Sequence, residues 1–228
     1  MVRYINLIFG VRFYMGSAIL CVVIVIILLA ILFNNRHKKR IEFITSFEFP
    51  SSIKHHVKTT YPHLNDKQVE LALEALKSFF LIADKAKSKP VAMPSQVVDV
   101  AWHQFILFTK NYETFCKKGL GRFLHHTPTE AMKSQTTAQD GIKRAWRLAC
   151  FFENINPKSP RRLPTLFAID AQLKIEDGFF YSLNCHDQNS PNYGNDYCAT
   201  HIGCSSGCSG SSGDSSSSCG SGCGGGGD

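Results

Sequence analysis

The apolar positions of this chain fall first in an unbroken block and then in a helical rhythm. From Ser17 to Phe33 (SAILCVVIVIILLAILF) seventeen residues pass without a charge. With Phe13–Gly16 the run reaches twenty-one residues, roughly 31 Å of helix at about 1.5 Å per residue, against a bilayer core of about 30 Å. Ile41–Phe49 then reads as a short strand or the first turns of a helix. Pro50 and Ser51-Ser52 open a helix that runs to about Thr60 and stops at Tyr61-Pro62. Asn65-Asp66-Lys67-Gln68 has the form of a capping box, and Val69, Leu71, Ala72, Leu73, Leu76, Phe79 and Phe80 carry a broad apolar face on to about Ala83. Pro94 and Ser95 mark the next start. Val98, Trp102, Phe105, Tyr112 and Cys116 recur at three/four spacing, which predicts one long helix closed by Gly119 and Gly121.

Beyond His126 the chain turns polar (HTPTEAMKSQTTAQ). Ile142, Ala145, Trp146, Ala149, Cys150 and Glu153 then predict a helix of roughly Ala138–Glu153, ended by the stretch holding Pro157 and Pro160. Leu163–Asp170 supplies a short apolar element, and Lys174–Tyr181 has the pattern of a small hairpin with Asp177-Gly178 as its turn. The expected fold is mainly α. An N-terminal transmembrane helix precedes a small helical domain of about four helices with minor β content, and a disordered Gly/Ser/Cys-rich tail follows. The boundaries are a short segment at 1–12, the span at 13–34, a basic juxtamembrane cluster at 35–40, the soluble domain at 41–183 and the tail at 184–228.

Charge changes this picture in two places. Arg36, Lys38, Lys39 and Arg40 follow the apolar block, against Arg3 and Arg12 before it. No small-x-small cleavage site follows the block, so it reads as a retained single-pass anchor. The positive-inside rule then puts the soluble domain in the cytoplasm. The lipid bilayer is thus the expected partner, with the basic cluster at anionic headgroups. The net charge is +7, yet no Lys or Arg follows Lys174; the part from Gly178 on carries four aspartates, which leaves +11 on the rest. Basic and aromatic residues are not interleaved on one face, so no nucleic-acid partner is expected. The tail, with Cys198, Cys204, Cys208, Cys219 and Cys223, has little to bury and much backbone entropy to lose. Its Cys-x-x-x-Cys pairs suit flexible thiols better than a preorganised metal site. Cys116 and Cys150 fall on apolar helix faces and read as core.

The candidate chemistry lies in Val97–His126. Asp99 and His103 are four apart on one helix face, and His125 and His126 return after the glycine turn. Those side chains make a nitrogen/oxygen set for zinc or a similar divalent metal, or a carboxylate-oriented histidine acting as a base. On the plainer reading, Asp99 is favoured by the helix N-terminus, His103 satisfies it, and the loop histidines are structural or exposed. Asp99-x-x-Trp102-His103, Ile106, Tyr112 and Gly121-Arg122-x-x-x-His126 resemble the Asp-x-x-Trp-His…Tyr…Gly-x-x-x-x-His signature of the glycine-rich domain-containing protein-like family. Many members of that family carry a second histidine two residues after the Trp-His pair, where this chain has Phe105. The resemblance implies a fold and a membership rather than a reaction.

No phosphate loop, dinucleotide fingerprint or nucleophile elbow occurs. The leading expectation is a membrane-anchored, non-enzymatic binding or scaffold module with a protein partner still to be named. The alternative is a metal-binding domain or metal-dependent hydrolase built on Asp99, His103 and His126, with His125 as a substitute ligand. The two part on geometry, since the second requires those side chains to converge in an open cleft.

Overall fold

Asn65 opens the helix around which the domain is assembled. Its side chain accepts from the backbone N–H of Gln68 at 2.9 Å, and the Gln68 side chain accepts from the Asn65 N–H at 2.9 Å. This reciprocal cap, the one expected from the sequence, stabilises a helix start by about 1 kcal/mol. The computed structural model describes residues 2–126, 135–183 and 202, with the side chains of 2–21 and 135–138 outside that description. Its helices are α1 (Val2–Thr45), α2 (Ser51–Thr60), α3 (Asp66–Ala86), α4 (Gln96–Leu107), α5 (Thr109–Phe115), α6 (Gln135–Phe152) and α7 (Thr165–Leu173), with a π-helical turn at Cys116–Leu120. The helix begun at Asn65, α3, packs against α1, α2, α4, α6 and α7. The mainly helical expectation holds. The helices are more numerous than about four, and α3 runs three residues past Ala83.

The long helix expected after Ser95 is broken. Ser95 caps its start as expected, accepting from Val98 N–H at 3.3 Å, but Phe108 leaves helical geometry (φ −81°, ψ 61°). The aromatic core explains the break. Ten positions along one straight helix would separate Phe105 and Phe115 by about 15 Å axially. Their ring centroids lie 5.3 Å apart, which requires the chain to turn between them. Both rings join Phe47 and Phe80, and Trp102 lies 4.9 Å from Phe79 on the same layer. Gly121, at φ +67°, then ends the π turn in the left-handed region that favours glycine. A side chain there would also run into the Arg40 guanidinium. At Gly119 a Cβ would meet Ile44 Cγ1 at 3.0 Å, so the π turn rests almost backbone-to-side-chain on the end of α1.

Two other expectations are corrected. Ile41–Phe49 is neither a strand nor a new helix at its start, because α1 continues through it to Thr45. No strand occurs among the described residues, and the hairpin expected at Lys174–Tyr181 is a tight turn. Two N–H groups that a hairpin would need are engaged elsewhere: Gly178 donates to Ile175 O at 3.1 Å and Phe179 donates to Asp170 Oδ2 at 2.9 Å. No helix among the described residues is long and apolar enough to cross a membrane. The span expected at 13–34 overlaps the described side chains only from Val22 on. That part is outward-facing, with the large side chains of Val22–Phe33 44–69 % exposed. The tail from 184, with its cysteines, lies outside the described residues apart from Ile202.

Cys116 and Cys150 are buried and free, as the apolar stripes predicted. Burial raises both thiols, and with a lesser push from Glu153 it takes Cys150 to about 11, so neither is a nucleophile at neutral pH.

The polar contact that locks the domain is one the sequence pattern did not show. Asp170, on α7, is 1 % exposed and accepts from Ser95 Oγ (2.7 Å), Gln96 N–H (2.7 Å), Val97 N–H (3.3 Å) and Phe179 N–H (2.9 Å). It therefore caps the N-terminus of α4 from another helix. We predict that Asp170→Ala, which leaves these donors without their acceptor, destabilises the domain by about 3 kcal/mol. Trp102→Ala is expected to cost ~3–5 kcal/mol through the cavity it opens. Urea unfolding should show both as lower midpoints at unchanged slope. A parent-like midpoint for Asp170→Ala would show that the cap does not hold α4.

Candidate metal centre

Asp99 sits in the first turn of α4, where the free N–H groups of a helix start favour a negative charge. His103 follows one turn later on the same face, its Nδ1 3.3 Å from Asp99 Oδ2. The chain then leaves α4, passes through α5 and the π turn, and returns in the non-helical run Phe123–His126. His126 arrives over the same carboxylate from the other side, Nε2 to Asp99 Oδ1 at 3.2 Å. Asp99 thus presents one oxygen to each imidazole. The two histidine rings lie 4.2 Å apart by centroid, and His126 also packs on Trp102 at 4.6 Å.

A buried relay brings His126 back. Trp102 Nε1 donates to Tyr112 Oη at 3.1 Å, and Tyr112 Oη donates to Leu124 O at 2.6 Å. Burial raises the Tyr112 phenol well above its ordinary range, so it stays a neutral O–H able to serve both partners. Leu124 is held inward, and the next inward residue of the run is His126. Phe123 and His125 take the opposite side, paired with each other at 4.8 Å between centroids. His125 is exposed and stands outside the cluster; it is not a substitute ligand in this arrangement. Arg122 fastens the other end of the run, donating through Nη2 to Ala83 O of α3 at 2.9 Å. In the sequence Trp102 and Tyr112 stand in an apolar stripe and in the family-like pattern, neither of which shows the hydrogen bonds they make. The signal for their second role was that each carries a polar tip that a buried position must satisfy.

One ligand atom each from Asp99, His103 and His126 lies within 4.8 Å of the others. A tetrahedral zinc site with bonds of about 2.0–2.1 Å has ligands roughly 3.3 Å apart. The two carboxylate–imidazole separations, 3.2 and 3.3 Å, are of that size but run to different oxygens of Asp99, so a single ion would draw the three side chains closer together. The same distances serve a hydrogen-bonded His–Asp–His trio when the nitrogens carry protons. His103 is half exposed (52 %), whereas Asp99 (21 %) and His126 (15 %) lie deeper, so the set opens to one side. On that side is a cleft of about 580 Å³, walled by Met93, Gln96, Trp102, Arg122 and Phe123.

The family described as UCP032817-like matches residues 39–202, and the chain belongs to it. The matched part takes in every residue of the cluster. No curated protein matches the chain, and no solved structure does.

The relay makes a prediction of its own. Tyr112→Phe removes both hydrogen bonds while keeping the ring, and should cost about 1–3 kcal/mol. Amide hydrogen exchange should quicken locally at Leu124–His126, with α3 unchanged. Uniformly faster exchange would mean that Tyr112 serves the core and not this loop.

Proposed function

We propose that this protein is a membrane-anchored, non-enzymatic binding module whose site is a divalent metal centre, zinc or a similar ion, held by Asp99, His103 and His126. The observation that carries the reading is the convergence of those ligand atoms, from two separate stretches of chain, at the mouth of an open cleft. Three protein ligands leave one position for a water or a bound group, the coordination of an open site and not of a structural one. A metal-dependent hydrolase is the second reading, favoured by the same open position. Binding comes first because Asp99 is the one acid among the described residues lining the cleft, and as a ligand it is not available as a general base.

The anchor is part of the proposal. Its support is the outward-facing aliphatic surface of Val22–Phe33 and the basic cluster Arg36, Lys38, Lys39 and Arg40 directly after it. On this reading the chain crosses the bilayer once over 13–34, with the domain in the cytoplasm and the basic cluster at anionic headgroups. We also place the chain with the glycine-rich domain-containing protein-like family, on the Asp99/Trp102/His103/Tyr112/His126 pattern. A protein partner, unnamed as yet, would meet the domain at the membrane surface.

Metal content of the purified full chain tests the centre. We expect about one equivalent of zinc to be lost in His103→Ala and in His126→Ala and kept in His125→Ala. Any metal taken up by the tail thiols is common to all four proteins, so the difference between parent and variants is the reading. Equal zinc in all four proteins would sink the proposal. The anchor is tested by alkaline carbonate extraction of membranes, which strips peripheral proteins and should leave this chain in the pellet. Recovery in the supernatant would remove the span.

A further inference from the structure

The cleft beside the Asp99 cluster is rimmed by cations from two directions. Lys87 and Lys89 come from the connector after α3, and Arg122 from the segment after the π turn. Asp99 is the only acid among the described residues that line it. A divalent ion on Asp99 would more than cancel that charge, so the cleft would present positive potential from every charged group.

Lys87 adds an independent observation. As the C-cap of α3 it has φ +57° and ψ −124°, a backbone position that glycine takes easily and an L side chain takes at a cost of order 1–3 kcal/mol. Its side chain is exposed at the rim of the cleft. For the fold alone, glycine would serve better; what lysine adds is the ammonium group. The remaining wall carries an aromatic and apolar part, Phe79, Met93, Trp102, Phe123 and Phe179, beside the polar Ser88, Gln96 and His125. At about 580 Å³ the space suits a small ligand with a charged end and an apolar body.

We propose that the cleft binds the phosphoryl group of a phosphate monoester. Its oxygens would take the open position of the ion and face Lys87, Lys89 and Arg122, with an aromatic or alkyl body laid along Trp102 and Phe123. The inference rests on the divalent-centre reading for the ion, though not for the three side-chain cations. So many positive groups suit a dianionic phosphate better than a singly charged carboxylate. Two sources share this chemistry: a soluble ester and the headgroup of a phosphatidic acid in the membrane.

The test uses the full chain in phosphatidylcholine bilayer discs, zinc-loaded or stripped with a chelator, titrated calorimetrically with phenyl phosphate and inorganic phosphate. The zinc-loaded chain should bind phenyl phosphate at least about tenfold more tightly than inorganic phosphate, because the ring is buried against Trp102. Lys87→Gly with Lys89→Ala should weaken binding by about tenfold or more at unchanged zinc content. Lys87→Gly alone should leave the melting temperature unchanged or raise it, since it relieves the strained cap. A zinc-loaded chain that gives no heat with phenyl phosphate, or binds it indifferently to both lysine substitutions, overturns the inference and leaves the metal centre standing. Lysine-dependent binding by a chain that takes no zinc at Asp99 supports the phosphate cleft and removes the metal centre; no zinc and no heat removes both. Discs containing phosphatidic acid that abolish the phenyl phosphate heat assign the site to a lipid headgroup, and discs that leave it unchanged assign it to a soluble ester.

Discussion

The carboxylate of Asp170 ties the last helix of the domain to the first turn of α4, accepting from the Ser95 hydroxyl and from the Gln96, Val97 and Phe179 N–H groups. A helix start leaves several N–H groups without intrahelical partners, and burying them unpaired is costly. Here one buried side chain, from about seventy residues away, meets that requirement together with Ser95. The direction of α4 is therefore fixed by tertiary structure. Asp99 and His103 lie on the first turns after this point, so their position is set by the same contact.

The other half of the cluster is located by a different device. The Trp102–Tyr112–Leu124 relay fixes the returning run from beneath, and the Arg122–Ala83 bond fixes it from the side. Both use the core as a reference surface: Trp102 and Tyr112 are buried among Phe79, Phe80 and Phe105. The cluster thus sits where two independently anchored pieces of chain meet. Such preorganisation is what a metal or anion site needs, because ligands that must be ordered on binding subtract from affinity.

Much of this was legible in the sequence where the determinants are local. The Asn65/Gln68 box, the Ser95 cap, the stop at Tyr61-Pro62 and the left-handed turn at Gly121 are each decided within a few residues. The Asp99/His103 pairing follows from helical spacing alone. What was not legible is non-local. The break at Phe108 exists because Phe105 and Phe115 share a core that also includes Phe47 and Phe80, which no periodicity reports. In the sequence Asp170 is the polar end of an apolar run, because its donors lie at the start of α4 and in the turn after α7. The Asp177-Gly178 pair has the form of a hairpin turn, yet Phe179 N–H goes to Asp170 and so cannot pair with a strand. The resemblance favours His126 over His125, but the physical reason, the inward register imposed at Leu124, is visible only in the structure.

The continuity of α1 has a mechanical meaning. Its 44 residues make about 66 Å of unbroken helix, and about 18 Å of it lies between Phe33 and Thr45. The end of that rod is embedded in the domain: Ile44 is fully buried, the Phe43 ring lies 5.8 Å from Phe115, and Phe47, just past the helix, lies 4.7 Å from the same ring. A domain joined in this way does not swing on a tether. Tilting or turning the N-terminal part of the rod applies torque at Gly119 and, through Arg40, at Gly121, the residue next to Arg122 and the wall of the cleft. The entrance to the cleft therefore keeps a set bearing relative to the rod, and whatever orients one orients the other.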